Sequence, residues 1–380
     1  MLHLSDPNRR HRGRAALAAV LAAAALLAGA CSSDGSDGAT KTTAAAATVT
    51  TVDANATTTE TTEPADEAES PPPAEIGTYP VGKRMLDLVD GSRTTKPHAG
   101  QPEQDSRALP VLVVYPAAGE AAPLDPADNP EVEEDADPGD GRFPLLLMSH
   151  GLGARNIAYE TQMATWASAG YVVVAPDHPL ANSDSVGGPT PVDIFNQPGD
   201  LSYVIDVFTD TAGDGESTGD EVPAELIELV DGSRIGAVGH SLGGATVVGL
   251  GFGDCCTDDR VDAVVSWAGL ELLVQDVDPD AGDRPLLLVH GTKDRTVDYS
   301  QAEVISTAVD SPRWLITLVG AGHVTPFLTP HADAASAVVT YSALDFFDAW
   351  VKDDPTGMDR LETLVDEAGP DVATLEVEGP

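Results

Sequence analysis

The most constraining stretch of the chain is Gly239-His240-Ser241-Leu242-Gly243-Gly244, set between an apolar run at residues 235–238 and a small-residue, helix-compatible segment at 245–251. A strand that passes at once into a helix leaves the serine between them in a turn so tight that its backbone is driven toward positive φ. Glycines two positions to either side let strand and helix approach that closely. Ser241 is therefore expected at the end of a strand with its hydroxyl presented outward. A glycine-rich turn holding a serine by chance is the plainer alternative, and the strand-like and helix-like runs on either side argue against it.

Such an elbow needs a sheet around it, and the rest of the chain supplies the pattern. Apolar, strand-like runs fall at residues 81–87, 108–116, 143–148, 171–175, 261–267, 285–289 and 314–319. Between them lie helix-like segments at 155–169, 201–211, 223–230, 297–309 and 332–351. Short runs such as Leu145-Leu146-Leu147 and Val172-Val173-Val174 suit strands buried on both faces. This alternation predicts an α/β fold, a mostly parallel central sheet with helices on both faces. Residues 119–142, rich in Asp, Glu and Pro, read as an exposed insertion.

Ligands bind at the carboxyl ends of such strands, so chemistry is expected just after them. After the strand at 285–289 comes His290-Gly291-Thr292-Lys293-Asp294, and after the strand at 314–319 comes Gly320-Ala321-Gly322-His323. The order Ser241, Asp294, His323 is the one a nucleophile elbow requires. A serine hydroxyl is a poor nucleophile until an imidazole accepts its proton, and a carboxylate fixes the tautomer of that imidazole. Glu271, after the preceding strand, is a competing acid, and Asp294 has the alternative of merely capping a helix. His150, His178, His240 and His290 also lie near strand ends, where a lone histidine is ordinarily structural.

Negative charge on a substrate carbonyl needs preorganised N–H donors. The backbone N–H of Leu242 is one candidate. The other is Leu152, in the loop Ser149-His150-Gly151-Leu152-Gly153, where glycines on both sides free the backbone to turn. His150 is expected to brace this loop. Loops at 180–198 and 270–283 are expected to shape an acyl pocket, the second through Leu270, Leu272, Leu273 and Val274. No metal or cofactor is expected.

The front of the chain is of another kind. Arg9, Arg10, Arg12 and Arg14 precede a small, apolar run at 15–30, the form of a secretory signal too short to span a bilayer comfortably. Leu27-Ala28-Gly29-Ala30-Cys31 resembles the lipobox of bacterial lipoproteins, which implies lipidation at Cys31; cleavage by an ordinary signal peptidase is the alternative. Residues 32–77 hold too little apolar surface to offset their ordering entropy and read as a disordered linker. The expected organisation is thus a signal segment at 1–31, this linker, a catalytic body at 78–353 and an acidic tail at 354–380, with an extracytoplasmic, membrane-anchored location. The net charge is −42, and without residues 1–30 it is −45, from 16 basic and 61 acidic residues. That surface repels nucleic acid and anionic headgroups, so nucleic acid is excluded as a partner and membrane contact is expected only through the anchor. Apart from Cys31, the only cysteines are the adjacent Cys255 and Cys256, either two partly buried thiols or a vicinal disulfide.

With these residues in place, the body resembles the α/β-hydrolase superfamily over about 270 residues. Ser149-His150-Gly151-Leu152-Gly153 and Gly239-His240-Ser241-Leu242-Gly243-Gly244 are similar to the branch holding platelet-activating-factor acetylhydrolases, dienelactone-hydrolase-like proteins and bacterial cutinases or polyester hydrolases. Arg107 to Pro116 resembles the opening strand of the acetylhydrolases. Asp294 matches the cutinase and dienelactone-hydrolase placement of the acid, whereas the plasma-type acetylhydrolases carry theirs one strand earlier, where this chain has Glu271. The resemblance implies a serine hydrolase that cleaves small-molecule or polymeric carboxylic esters through an acyl-enzyme. An amidase or peptidase with the same three residues, or a binding lipoprotein on the same fold, are the competing expectations.

Overall fold

The computed structural model describes residues 76–378 except 121–123, 125–127, 210–221, 279–280 and 331. The expected signal segment, Cys31 and all but the last two residues of the expected linker lie outside the described residues.

Ten strands form one sheet: β1 (Val81–Asp90), β2 (Arg107–Pro116), β3 (Val132–Glu134), β4 (Phe143–Ser149), β5 (Val172–Pro176), β6 (Val230–His240), β7 (Ala263–Trp267), β8 (Leu286–Gly291), β9 (Arg313–Leu318) and β10 (Ala373–Glu378). Their order across the sheet is β10-β9-β8-β7-β6-β4-β5-β2-β1-β3. From β5 to β9 every neighbouring pair is parallel. β2 runs antiparallel to both β1 and β5, and β10 antiparallel to β9.

The eight helices of the described residues are α1 (Glu160–Ser168), α2 (Gln197–Phe208), α3 (Ala224–Leu229), α4 (Leu242–Phe252), α5 (Ser300–Ala308), α6 (Thr325–Leu328), α7 (Ala334–Val351) and α8 (Gly357–Ala368). Side chains alternate across a strand, so each apolar run feeds two cores. Leu146, Val173, Val238, Val265 and Ile316 pack on one face with Trp166 of α1, Phe347 of α7 and Leu361 of α8. Leu145, Leu147, Val174, Ala237 and Val264 pack on the other with Leu201 of α2, Val247 of α4 and Ile305 of α5. Burying each such side chain contributes about 1.5–3 kcal/mol, and this two-sided core is what holds the strand ends rigid beneath the loops.

Two expectations need correction. The stretch 119–142 is not wholly an excursion, because Val132–Glu134 pairs with β1 at the sheet edge. Nor does the body end at 353 with a loose acidic tail. α8 buries Leu361 and Val365, its Arg360 pairs with Asp345 and Asp348 of α7 at 2.8 Å each, and β10 extends the sheet. Acidic residues dominate this segment on its solvent side, and they conceal the apolar side that holds it in place.

Candidate active site

β6 ends at His240 and α4 begins at Leu242, so Ser241 alone makes the turn, at φ 56° and ψ −116°. Its N–H donates to the Trp267 carbonyl of the neighbouring β7 at 2.8 Å, which pins the strained residue to the sheet. The flanking glycines are required by contact. A Cβ on Gly239 would collide with the Gly243 carbonyl oxygen, and one on Gly243 with the carbonyl oxygen of Ser149 at the end of β4.

The loops after β8 and β9 bring Asp294 and His323 to this serine. His323 Nε2 lies 2.9 Å from Ser241 Oγ, and His323 Nδ1 lies 2.6 Å from Asp294 Oδ2. A carboxylate oxygen only accepts, so the ring proton sits on Nδ1 and Nε2 is left to accept from the hydroxyl. Asp294 is fixed in turn, since its Oδ1 accepts the N–H groups of Thr296 and Val297 at 2.8 Å each. Burial alone would raise the Asp294 pKa. Hydrogen bonds from His290 and His323 and the backbone N–H of Val297 more than reverse that, and the carboxyl stays well below its ordinary range. The arrangement can therefore move a proton from Ser241 Oγ to His323 Nε2 and hold the resulting imidazolium against a carboxylate that stays ionised. Glu271 opens a short 3-10 turn, and its N–H donates to Gln301 Oε1 at 3.2 Å; the carboxylate on His323 is that of Asp294.

The loop after β4 lies directly against the serine, since a Cβ on Gly151 would stand 3.2 Å from Ser241 Cβ. Among the described residues no protein acceptor takes the N–H of Leu152 or of Leu242. Leu242 also joins an apolar cluster with Ala181, Ile194, Leu270, Leu272 and Leu273, with Leu152 packed against it. Both of the loops expected to shape a pocket thus meet beside the elbow. Val274 is the exception, because it turns into the sheet core instead.

Two features escaped the sequence reading. His240, a neighbour of the serine, sends Nε2–H to the His323 carbonyl at 2.9 Å and accepts at Nδ1 from Tyr159 Oη at 2.9 Å. Tyr159 Oη in turn accepts the Gly151 N–H at 3.2 Å, so one buried chain ties the elbow to the loops on both sides of it. Burial lowers the His240 pKa to about 3, which keeps this link neutral. Phe327 of α6 stacks on the His240 ring at 5.0 Å and supports it from beneath. The second feature is another Ser–His–Asp chain: Ser149 Oγ lies 3.0 Å from His178 Nε2, and His178 Nδ1 lies 2.9 Å from Asp200 Oδ2. Position at a strand end signalled His178; nothing local signalled Asp200, which sits within α2. Of the two expectations for Cys255 and Cys256, the structure has the vicinal disulfide, with Cys256 packed against the apolar cluster beside Leu242. Among the described residues no group of three or more His, Cys, Asp or Glu side chains is arranged to hold a metal ion.

The strand order, the elbow at the end of β6 and the loops after β4, β8 and β9 are those of the α/β-hydrolase fold. The family model of platelet-activating factor acetylhydrolase, isoform II, matches residues 127–185, the span holding β4, the Ser149–Gly153 loop and β5. A probable 1-alkyl-2-acetylglycerophosphocholine esterase of Arthroderma benhamiae is 29% identical over 135 residues, which is 33% of this chain and 31% of that relative's length. A ferulic acid esterase from Streptomyces cinnamoneus superposes with a TM-score of 0.56 over 75% of this chain and 93% of its own, at 23% identity, a likeness of fold.

Proposed function

We propose that the protein is a serine hydrolase of carboxylic esters, anchored outside the cytoplasm through Cys31. The observation that carries the reading is the hydrogen-bonded series Ser241 Oγ, His323, Asp294 beside two unclaimed backbone N–H groups. In this reading Ser241 Oγ attacks the ester carbonyl carbon while its proton passes to His323 Nε2. The carbonyl oxygen becomes an oxyanion held by the N–H groups of Leu152 and Leu242. Collapse breaks the carbon–oxygen bond to the alcohol, which leaves with the proton from Nε2, and Ser241 is acylated. Water then gives a proton to Nε2 and its oxygen to the acyl carbon, which frees the acid and restores the serine.

Support for esters comes from the similar proteins, one a probable esterase of an acetylated glycerophosphocholine and one a ferulic acid esterase. The test is a fluorophosphonate label followed through fractionation. Label is expected on the native protein and not on Ser241→Ala, with hydrolysis of p-nitrophenyl acetate lost in parallel. The labelled band is expected in the membrane fraction and, for Cys31→Ala, in the medium. No label on the native protein, or undiminished label on Ser241→Ala, sinks the hydrolase reading; faster cleavage of the matching anilide than of the ester sinks the ester assignment.

A further inference from the structure

The Leu152 N–H belongs to the peptide that begins at the Gly151 carbonyl, and in a trans peptide these two groups point in opposite directions. Whatever fixes the carbonyl therefore aims the N–H. Two donors reach the Gly151 oxygen: the Ala154 N–H at 3.0 Å, and His150 Nδ1 at 2.8 Å. That the imidazole is a donor here follows from its other nitrogen. His150 Nε2 accepts the backbone N–H of His178 at 3.0 Å, so the proton of the neutral ring is on Nδ1. The ring is 1% exposed, and burial lowers its pKa to about 3, so it stays in this neutral form. His178 is itself held by Ser149 and Asp200. Glycine at 151, with Gly153 beyond Leu152, makes rotation of this peptide cheap, and a rotated peptide would turn a carbonyl oxygen toward the developing negative charge.

We propose that His150 is a positioning residue for the oxyanion hole: its Nδ1–H holds the Gly151 carbonyl away from the substrate and thereby aims the Leu152 N–H at the oxyanion. The inference rests on the serine-hydrolase reading, since it needs an oxyanion formed at Ser241. It differs from a bracing role for the loop as a whole, in which the contact that matters is the one from His150 Nε2 to His178.

Two polar substitutions separate these roles. Asn at 150 puts a donor near the place of Nδ1 and leaves the His178 N–H unserved; Gln reaches the place of Nε2 and leaves the Gly151 carbonyl without its side-chain donor. The expected result is that His150→Gln lowers kcat about 10²–10³-fold with KM within about threefold, the loss typical of one oxyanion donor, while His150→Asn stays within about fivefold of the native enzyme. Inhibition by a boronic acid that forms a tetrahedral adduct on Ser241 should weaken in proportion to kcat. The reverse order, or two variants alike in kcat, overturns the proposal. A second measurement needs no variant: on binding the boronic acid, the Leu152 amide proton of the native protein should move downfield, and an unmoved resonance overturns the proposal even where a variant does not fold. Native protein that neither turns over ester nor binds the boronic acid would instead reject the hydrolase reading.

Discussion

Two Ser–His–Asp chains run through this molecule with nearly the same dimensions. Ser241, His323 and Asp294 are linked at 2.9 and 2.6 Å, and Ser149, His178 and Asp200 at 3.0 and 2.9 Å. The residue types, the order and the nitrogens used are alike, so contact geometry does not separate a candidate nucleophile from a structural tie. The surroundings do. Ser241 stands at positive φ between a strand and a helix, whereas Ser149 is the last residue of β4 and lies in register with Gly239. Ser241, expected to face outward, is only 3% exposed, but the His323 beside it is partly exposed, while Ser149, His178 and Asp200 are all sealed from solvent. The carboxylates differ as well. Asp294 rests on backbone N–H groups, but Asp200 is gripped by the buried guanidinium of Arg107, whose other edge holds Asp193. A serine becomes chemically useful where a substrate carbonyl can reach it and N–H donors wait for the charge; a buried copy lacks the first and becomes part of an ion-pair network.

The largest expected contrast comes from removing charge at each aspartate. In Asp294→Asn the side-chain oxygen must stay on the Thr296 and Val297 N–H groups, so the new amide nitrogen faces His323 Nδ1. The imidazole then has to accept at Nδ1 and carry its proton on Nε2, where it can no longer take one from Ser241. We expect kcat to fall about 10³–10⁴-fold, with the melting temperature little changed. A loss under tenfold would mean that Asp294 does not set this tautomer.

Asp200→Asn should do the opposite, sparing chemistry and harming the fold. Removing one charge from this buried network leaves Arg107 with Asp193 as its remaining carboxylate and takes a partner from Arg93 as well, at a cost of about 3 kcal/mol in urea unfolding, with kcat of the folded protein within about fivefold of native. Burial would raise the Asp200 pKa, but hydrogen bonds from His178 and Arg107 and the charge of Arg107 reverse this, so the folded value lies below the unfolded one. A depressed carboxyl contributes stability above its unfolded pKa of about 4 and loses that contribution as pH falls toward the folded value. In the variant, stability should thus decline less steeply below pH 4, by up to one proton or about 1.4 kcal/mol per pH unit. An unchanged slope would mean that this carboxylate is not held ionised by its partners.

The two chains were not equally legible in the sequence. Positive φ at Ser241 and close packing at Gly239 and Gly243 are local demands, and local demands leave residue types behind. Asp294 and His323 follow their strands at once, so the order of elements was enough to bring them forward. Asp200 reaches His178 from inside a helix, and Arg107 reaches both from the start of β2; no spacing along the chain encodes such a meeting. The Tyr159–His240 link was hidden for the same reason, although His240 lies inside the Gly239–Gly244 motif. At the far end, β10 presents only Ala373, Leu375 and Val377 on alternate positions among acidic neighbours, too faint a period to tell a strand from a solvated tail.

The smallest effect is expected at the serine of the buried chain, and it is the most direct comparison with Ser241→Ala. Ser149→Ala removes the hydroxyl that His178 Nε2 faces, yet Asp200 still holds His178 Nδ1 and the His178 N–H still reaches His150. One buried acceptor is left without its donor, a cost of about 1–2 kcal/mol to unfolding. Fluorophosphonate labelling and ester turnover should persist within about threefold, because Ser149 touches neither Ser241 Oγ nor the two N–H groups beside it. Loss of labelling in Ser149→Ala without loss of stability would break the distinction drawn between the two chains, for it would place chemistry on a serine that no substrate carbonyl can reach in this fold.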